Sequence, residues 1–338
     1  MSPPSRSTRL HKHGYLLLLV PPLFVLVLAT VLFELAHKYT LEELVTAIEI
    51  FLPQGESHPF SLTLSEMRGR YIWLATVVLN LVVCAYGIGL FGFTVYQAHA
   101  GKRLLAIVSI GTMLMLSGLI GLFYHAETQG ALFQLVYNFT FTILKQSGLY
   151  DTAYLLNIDK VMLITNILAI IVPSMAILAA CSTLAPSQGA NHEELSQVAR
   201  QMQQLKGVLN AGSALLFSGI LHMNAWLRWP ASLLTDQSIQ TEYSETVLAI
   251  SMFWGTAFTL MLVATYGPAS SYLGTQAREL VEQAAREGTI ENPQQWLKDH
   301  HFSVTLGEQL PRISVLLGPM LAGPIGSILM SGSHSFAQ

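Results

Sequence analysis

The run Tyr71–Tyr96 reads YIWLATVVLNLVVCAYGIGLFGFTVY and contains no Asp, Glu, Lys or Arg. A helix needs about 20 apolar residues to cross a bilayer, so this run is long enough to span a membrane. Five further stretches share its character, and only Glu34 brings a charge into them: Leu16–Ala36, Leu104–Tyr124, Val161–Cys181, Val208–Leu227 and Thr246–Tyr266. The six stretches predict an all-α fold, a polytopic membrane bundle of about six transmembrane helices in three hairpins.

The composition supports this class. Charged residues make up 11% of the chain, against about 25% in soluble domains, so the charged shell of a soluble protein is missing. The net charge of −3 gives no reason to expect nucleic acid as a partner, and the lipid bilayer is the expected one. Cys84 and Cys181 both fall within predicted spans, which argues against a disulfide framework.

The distribution of basic residues predicts an orientation. Of the seventeen Lys and Arg residues, eleven fall on the side of the N-terminus and six on the other. The positive-inside rule then places both termini in the cytoplasm. Short loops and compact termini favour a bacterial plasma (inner) membrane.

The chain divides into four predicted parts. Residues 1–13 form a basic cytoplasmic N-terminus, and residues 14–267 form the six-span bundle. Within the bundle, 38–69 and 125–160 are amphipathic outer connections, and 187–206 is a cytoplasmic juxtamembrane helix. Residues 268–312 form a cytoplasmic helical segment, and 313–338 form an apolar tail interrupted by glycine and proline. For this tail, interfacial or bundle-packed, re-entrant and seventh-span placements are all open.

The first outer connection begins with a capping box, Thr40-Leu41-Glu42-Glu43. In this motif the Thr oxygen accepts from the third helical amide while the Glu reaches back. The apolar residues that follow fall on one helical face, which predicts a short amphipathic helix. Such connections form either a hydrophobic lid on the bundle or the wall of a ligand vestibule.

Two further segments predict a cytoplasmic helical hairpin, here called the stalk. Leu195, Val198, Met202 and Leu205 repeat at the spacing of a coiled-coil seam, as do Leu273, Ala277 and Leu280. The first segment is expected to continue past Gly207 into the fifth span, and the sixth span past Gly267-Pro268. The two extensions would then pair as the stalk, through which a protein partner or a second copy of the chain could associate.

Motifs with catalytic meaning are weak. Gly87–Gly92 matches GxGxxG, but it lies inside a predicted span with no preceding strand, so it does not predict dinucleotide binding. His37, His125 and His222 recur near the outer ends of three spans and could hold copper, zinc or haem iron. The alternative is that each is a hydrogen-bonded structural histidine, with Glu34 as the partner of His37. No cofactor is otherwise expected, and enzymatic activity is disfavoured.

Three functions remain after these exclusions. We favour a membrane sensor or assembly subunit that acts through the stalk, because the stalk is the clearest non-membrane feature. A channel or facilitator for a neutral solute is the first alternative. A redox subunit with histidine-ligated metal or haem is the second.

Overall fold

The structure, a computed structural model, describes residues 14–53, 60–128, 130–185, 191–300, 302 and 306–331. Within these ranges the chain forms helices and turns without a β-strand, as predicted. A 3-10 segment at Gly14–Leu19 leads into the first of eleven α-helices. These are α1 (Val20–Ala36), α2 (Leu41–Glu49), α3 (Phe60–Ala98), α4 (Gly101–Glu127), α5 (Ala131–Phe133), α6 (Phe139–Gln146), α7 (Thr152–Ser182), α8 (Asn191–Arg228), α9 (Gln237–Arg286), α10 (Pro293–Asp299) and α11 (Leu306–Ser331).

Five of the described helices are long and apolar enough to cross a membrane. They are α1 with part of the preceding 3-10 segment, α3, α4, α7 and α9. The sixth predicted span, Val208–Leu227, lies in α8, which falls outside this set. The reason is that α8 carries polar side chains, among them Ser218, His222 and Asn224.

The polar helix α8 lies in the interior of the bundle. It packs against α3, α7, α9 and α11, while α4 packs on α7 and α1 packs on α9. The surrounding helices direct large apolar side chains outward, and Leu105, Met113 and Ile120 of α4 are each about two-thirds exposed or more. A ring of apolar helices around a polar one therefore shields α8 from the surroundings.

We call the two ends of the bundle the lid end and the stalk end. The lid end holds the end of α1 at Ala36 and the connection between α8 and α9 at Arg228–Gln237. The stalk end holds the α3–α4 connection and the end of α7. Helices α8 and α9 run antiparallel between these ends: Leu205 and Leu273 belong to one buried cluster near the stalk end, and Asn224 bonds Ser251 towards the lid end.

The apolar tail is a continuous helix rather than a broken segment. Helix α11 lies along both α8 and α9. Pro319 lacks an N–H, which frees the carbonyl of Val315 four residues earlier, and the Ser213 hydroxyl of α8 donates to that carbonyl. Near the other end of α11, Arg228 donates to the Ser327 carbonyl at 3.3 Å. Pro319 is thus accommodated because a neighbouring helix satisfies the backbone carbonyl that it frees.

Glycines allow α11 to approach α9 closely. A Cβ added at Gly255 would lie 2.6 Å from the Pro319 carbonyl oxygen and 3.0 Å from the Met320 Cα. Those atoms belong to the backbone and cannot rotate away. By contrast, a Cβ at Gly274, also on α9, would meet nothing within 4 Å.

This difference makes a prediction. Gly255→Ala forces α9 and α11 apart and lowers the free energy of unfolding by about 1–3 kcal/mol. Gly274→Ala removes the conformational freedom of glycine from a helix interior and raises stability by about 0.5–1 kcal/mol. Unfolding in mixed detergent micelles measures both, and equal effects of the two substitutions would contradict the tight α9–α11 contact.

Candidate functional site

The lid is the layer formed by residues 41–52, which include α2, by residues 131–150 and by residues 229–235. Its apolar side chains share one buried cluster with the ends of α3, α7, α8 and α9. Ile143, Leu144 and Leu233 have no exposed surface. This geometry closes the end of the bundle with packed side chains, as the lid interpretation of the outer connections requires.

Hydrogen bonds join the parts of the lid to each other. The predicted capping box is confirmed, because the Thr40 hydroxyl oxygen accepts from the Glu43 amide at 3.2 Å and the Glu43 carboxylate accepts from the Thr40 amide at 2.8 Å. The Leu41 amide donates to the Gln134 side chain at 3.2 Å. The hydroxyl and the amide of Thr235 both donate to the Phe51 carbonyl at 3.0 Å. The lid is therefore one connected layer.

A tryptophan layer lies where the lid meets the bundle, and the lid residue Trp229 belongs to it. Trp73 of α3 stacks on Trp229 at 5.1 Å between ring centroids and lies 5.6 Å from Trp226 of α8. His222, one turn before Trp226, lies 6.4 Å from Trp73 and is 7% exposed. Among the described residues, the indole nitrogens of these three tryptophans and both ring nitrogens of His222 have no hydrogen-bond partner. A buried polar atom without a partner costs about 1–3 kcal/mol. A hydrogen-bonding group that reached these nitrogens would therefore stabilise the layer.

A buried carboxylate connects the lid to α3. Glu66 is 6% exposed, accepts from the Tyr150 hydroxyl at 2.6 Å, and lies 3.4 Å from the Arg70 guanidinium. Burial and then the Glu66 carboxylate raise the pKa of the Tyr150 phenol, so the hydroxyl remains protonated and donates. The Tyr150 ring also meets Trp229 edge to face at 6.0 Å. Sequence reasoning missed this cluster, although the i, i+4 spacing of Glu66 and Arg70 was a usable signal.

The three histidines predicted as metal ligands have different surroundings. His125 lies 3.6 Å from the Glu34 carboxylate. His37 lines a separate cleft with Glu42 and Glu49, and His222 belongs to the tryptophan layer. Within the described ranges, no group of three His, Cys, Asp or Glu side chains is placed to hold a metal ion. The metal or haem interpretation therefore has no ligand set in this part of the chain.

Glu34 does not act as the expected partner of His37. Its carboxylate accepts from the amides of Ala131 and Leu132 at 2.8 and 3.3 Å, which are the first amides of α5. A carboxylate at a helix N-terminus is stabilised by these unpaired N–H groups. Glu34 thus anchors the lid to α1, a contact across 97 residues that a local pattern cannot indicate.

Most of the predicted stalk seam is buried. Its fully buried members, at most 3% exposed, are Val198, Met202, Leu205, Leu273 and Ala277. Leu195 and Leu280 are half-buried. The seam shares its cluster with Val95 of α3 and with Leu184, which follows α7. The stalk is therefore continuous with the core of the bundle and is not a free-standing hairpin.

A comparison of the chain with known protein families, curated proteins and solved structures finds no match.

The Glu66 cluster supplies a prediction. Tyr150→Phe leaves a buried carboxylate without its closest donor, which lowers the free energy of unfolding by about 1.5–3 kcal/mol. Tyr71→Phe is the matched control, because Tyr71 is 62% exposed on the same helix as Glu66. Detergent unfolding should show no more than about 0.5 kcal/mol for the control. Equal stability of the two variants would mean that Glu66 does not depend on Tyr150.

Proposed function

We propose that this protein is a membrane sensor or assembly subunit that couples its lid to its stalk. The observation that carries the proposal is the continuity of two helices. α8 (Asn191–Arg228) and α9 (Gln237–Arg286) each run without a break from the stalk to the lid. Their predicted continuation past Gly207 and past Gly267-Pro268 is confirmed.

Buried contacts at both ends support this coupling. At the lid end, the Tyr243 hydroxyl of α9 donates to the Leu227 carbonyl of α8 at 2.6 Å. At the stalk end, Leu205 and Leu273 belong to one buried cluster. Because packed helices shift as rigid elements rather than deform continuously, a movement of the lid displaces the stalk. A cytoplasmic partner or a second copy of the chain, bound to the stalk, would respond to this displacement.

The facilitator alternative is less well supported. The interior polar side chains pair across helices: Ser218 donates to Asn80 at 3.1 Å, and Asn224 donates to Ser251 at 2.9 Å. Such pairs are typical of contacts that hold membrane helices together. A channel would instead direct these groups into a common path.

We also infer that α8 and α11 cross the membrane beside the five apolar helices. Both lie along α9, and α11 ends near Arg228 at the lid end. This gives seven crossings and places the end of α11 on the side opposite the stalk. The prediction that both termini are cytoplasmic would then hold for the N-terminus only.

Reporter fusions test this topology. Alkaline phosphatase, which is active only outside the cytoplasm, is expected to be active when fused after Gln338 of the full chain. A green fluorescent protein that folds only in the cytoplasm should be dark at the same position. Both reporters at the N-terminus serve as the control and should give the reverse pattern. A bright fluorescent fusion after Gln338 would return α11 to a non-spanning position.

Spin-label distances test the coupling itself. Labels attached through Gln203→Cys and Thr275→Cys occupy exposed positions on the two stalk helices, and the two native cysteines are buried. Loosening the lid with Tyr150→Phe should shift the distance between the labels by about 1–2 Å or add a second population, the scale of helix shifts in switching proteins. Tyr71→Phe should leave the distribution of the parent protein. An unchanged distribution in Tyr150→Phe, with the lid destabilised as above, would contradict the proposed coupling.

A further inference from the structure

A polar cleft opens at the stalk end, and neither the lid nor the coupling uses it. We call it the stalk-end cleft. It has a volume of about 940 Å³. Its walls are the α3–α4 connection at residues 96–104, the end of α7 at 182–185, and the first half of α8 at 196–204.

Hydrogen bonds hold these walls together. The Gln204 side chain of α8 donates to Gln97 of α3 at 3.0 Å. One turn earlier on α8, Gln201 donates to the Ala185 carbonyl at 2.8 Å. The cleft is thus defined by contacts between three separate parts of the chain, and it belongs to the packed end of the bundle.

The cleft is positively charged. Arg103 of α4 and Arg200 of α8 both line it with exposed side chains, and its lining contains no Asp or Glu among the described residues. Within those residues, neither guanidinium forms an ion pair with a carboxylate. Two arginines with no opposing acid are a common arrangement for binding phosphate, because the planar guanidinium donates two parallel hydrogen bonds to its oxygens.

A helix N-terminus adds to this charge. Helix α4 starts at Gly101 in the cleft wall, and no side chain caps its first amides. Gly101 has a φ of +54°, a backbone conformation that glycine adopts readily and that turns the chain sharply from α3 into α4. Free amides and the positive end of a helix dipole attract anions.

An unpartnered buried histidine is the independent observation that points to a ligand. His99 lines the cleft and is only 6% exposed, and its Nε2 has no hydrogen-bond partner among the described residues. Its ring stacks on Tyr15 at 6.0 Å, which holds it in place. Burial and then the nearby Arg103 lower the pKa of His99, so near pH 7 the imidazole is neutral and one ring nitrogen can donate.

We propose that the stalk-end cleft binds a phosphate group between Arg103, Arg200 and the N-terminus of α4. The group belongs either to a phospholipid headgroup or to a soluble phosphorylated anion, because both present the same oxygens to the site. The proposal does not depend on the coupling of lid and stalk, and it assigns a ligand class to the opposite end of the molecule.

Two probes distinguish the sources in the full-length protein. In the first arm, native mass spectrometry counts phosphatidylglycerol retained by protein taken from phosphatidylcholine nanodiscs that contain it. In the second arm, inorganic pyrophosphate is titrated calorimetrically into protein in pure phosphatidylcholine nanodiscs, with sodium chloride of equal ionic strength as the blank. Binding in the first arm alone assigns a lipid headgroup, and binding in the second alone assigns a soluble anion. Binding in both assigns the phosphate group regardless of its carrier.

A pair of variants with the same net charge tests the position of the site. Arg103→Gln/Arg200→Gln should lose at least about tenfold in affinity, because each charge-assisted hydrogen bond contributes about that factor or more. Arg278→Gln/Lys298→Gln removes two exposed charges that lie away from the cleft and from the start of α4, and should bind within about twofold of the parent protein. Equal losses in both double variants would mean diffuse surface attraction and would overturn the proposal. Failure of the parent protein to bind either probe would overturn it as well.

Discussion

A helix that carries Ser213, Ser218, His222 and Asn224 is a poor neighbour for lipid, because each polar group without a partner in hydrocarbon costs several kcal/mol. The bundle meets this constraint by placing α8 inside, in contact with α3, α7, α9 and α11. The other features follow from that placement. Asn80 and Ser251 find their partners on α8, and Ser213 of α8 donates to the Val315 carbonyl that Pro319 frees in α11. The apolar outer helices can remain nearly free of polar groups because α8 carries them.

The same constraint explains how far the sequence could predict the fold. Long apolar runs and helix caps are local signals, so the all-α class, the Thr40 capping box and the unbroken helices α8 and α9 could be predicted. Hydropathy also indicated Val208–Leu227 as a span like the others. It could not reveal that this span is the central one, since its neighbours lie far away in sequence.

The helical tail and the candidate site could not be predicted from the sequence, because they rest on contacts between residues far apart in the chain. Gly318-Pro319 and Gly323-Pro324 indicate a broken segment when read alone. A continuous helix becomes favourable only because Ser213 reaches the Val315 carbonyl from another helix and Gly255 leaves room for the α11 backbone. Glu34 is similar, because the amides that it caps lie about a hundred residues away. For the histidines, recurrence at equivalent ends of three helices does not fix which way each ring points around its helix, and the structure gives the three rings different surroundings.

Helix α8 contributes side chains to both ends of the bundle. Its last turns bring His222 and Trp226, with unpartnered ring nitrogens, into the tryptophan layer. Its first turns supply Arg200, Gln201 and Gln204 to a cleft lined with positive charge. One rigid helix therefore contributes both to the unpartnered ring nitrogens at the lid end and to the proposed phosphate site at the stalk end. If a group bound at one end moves α8 and thereby changes affinity at the other, the effect must be equal in both directions, because coupling between two binding sites is reciprocal. A protein built around one buried helix can couple its two ends without a further moving part.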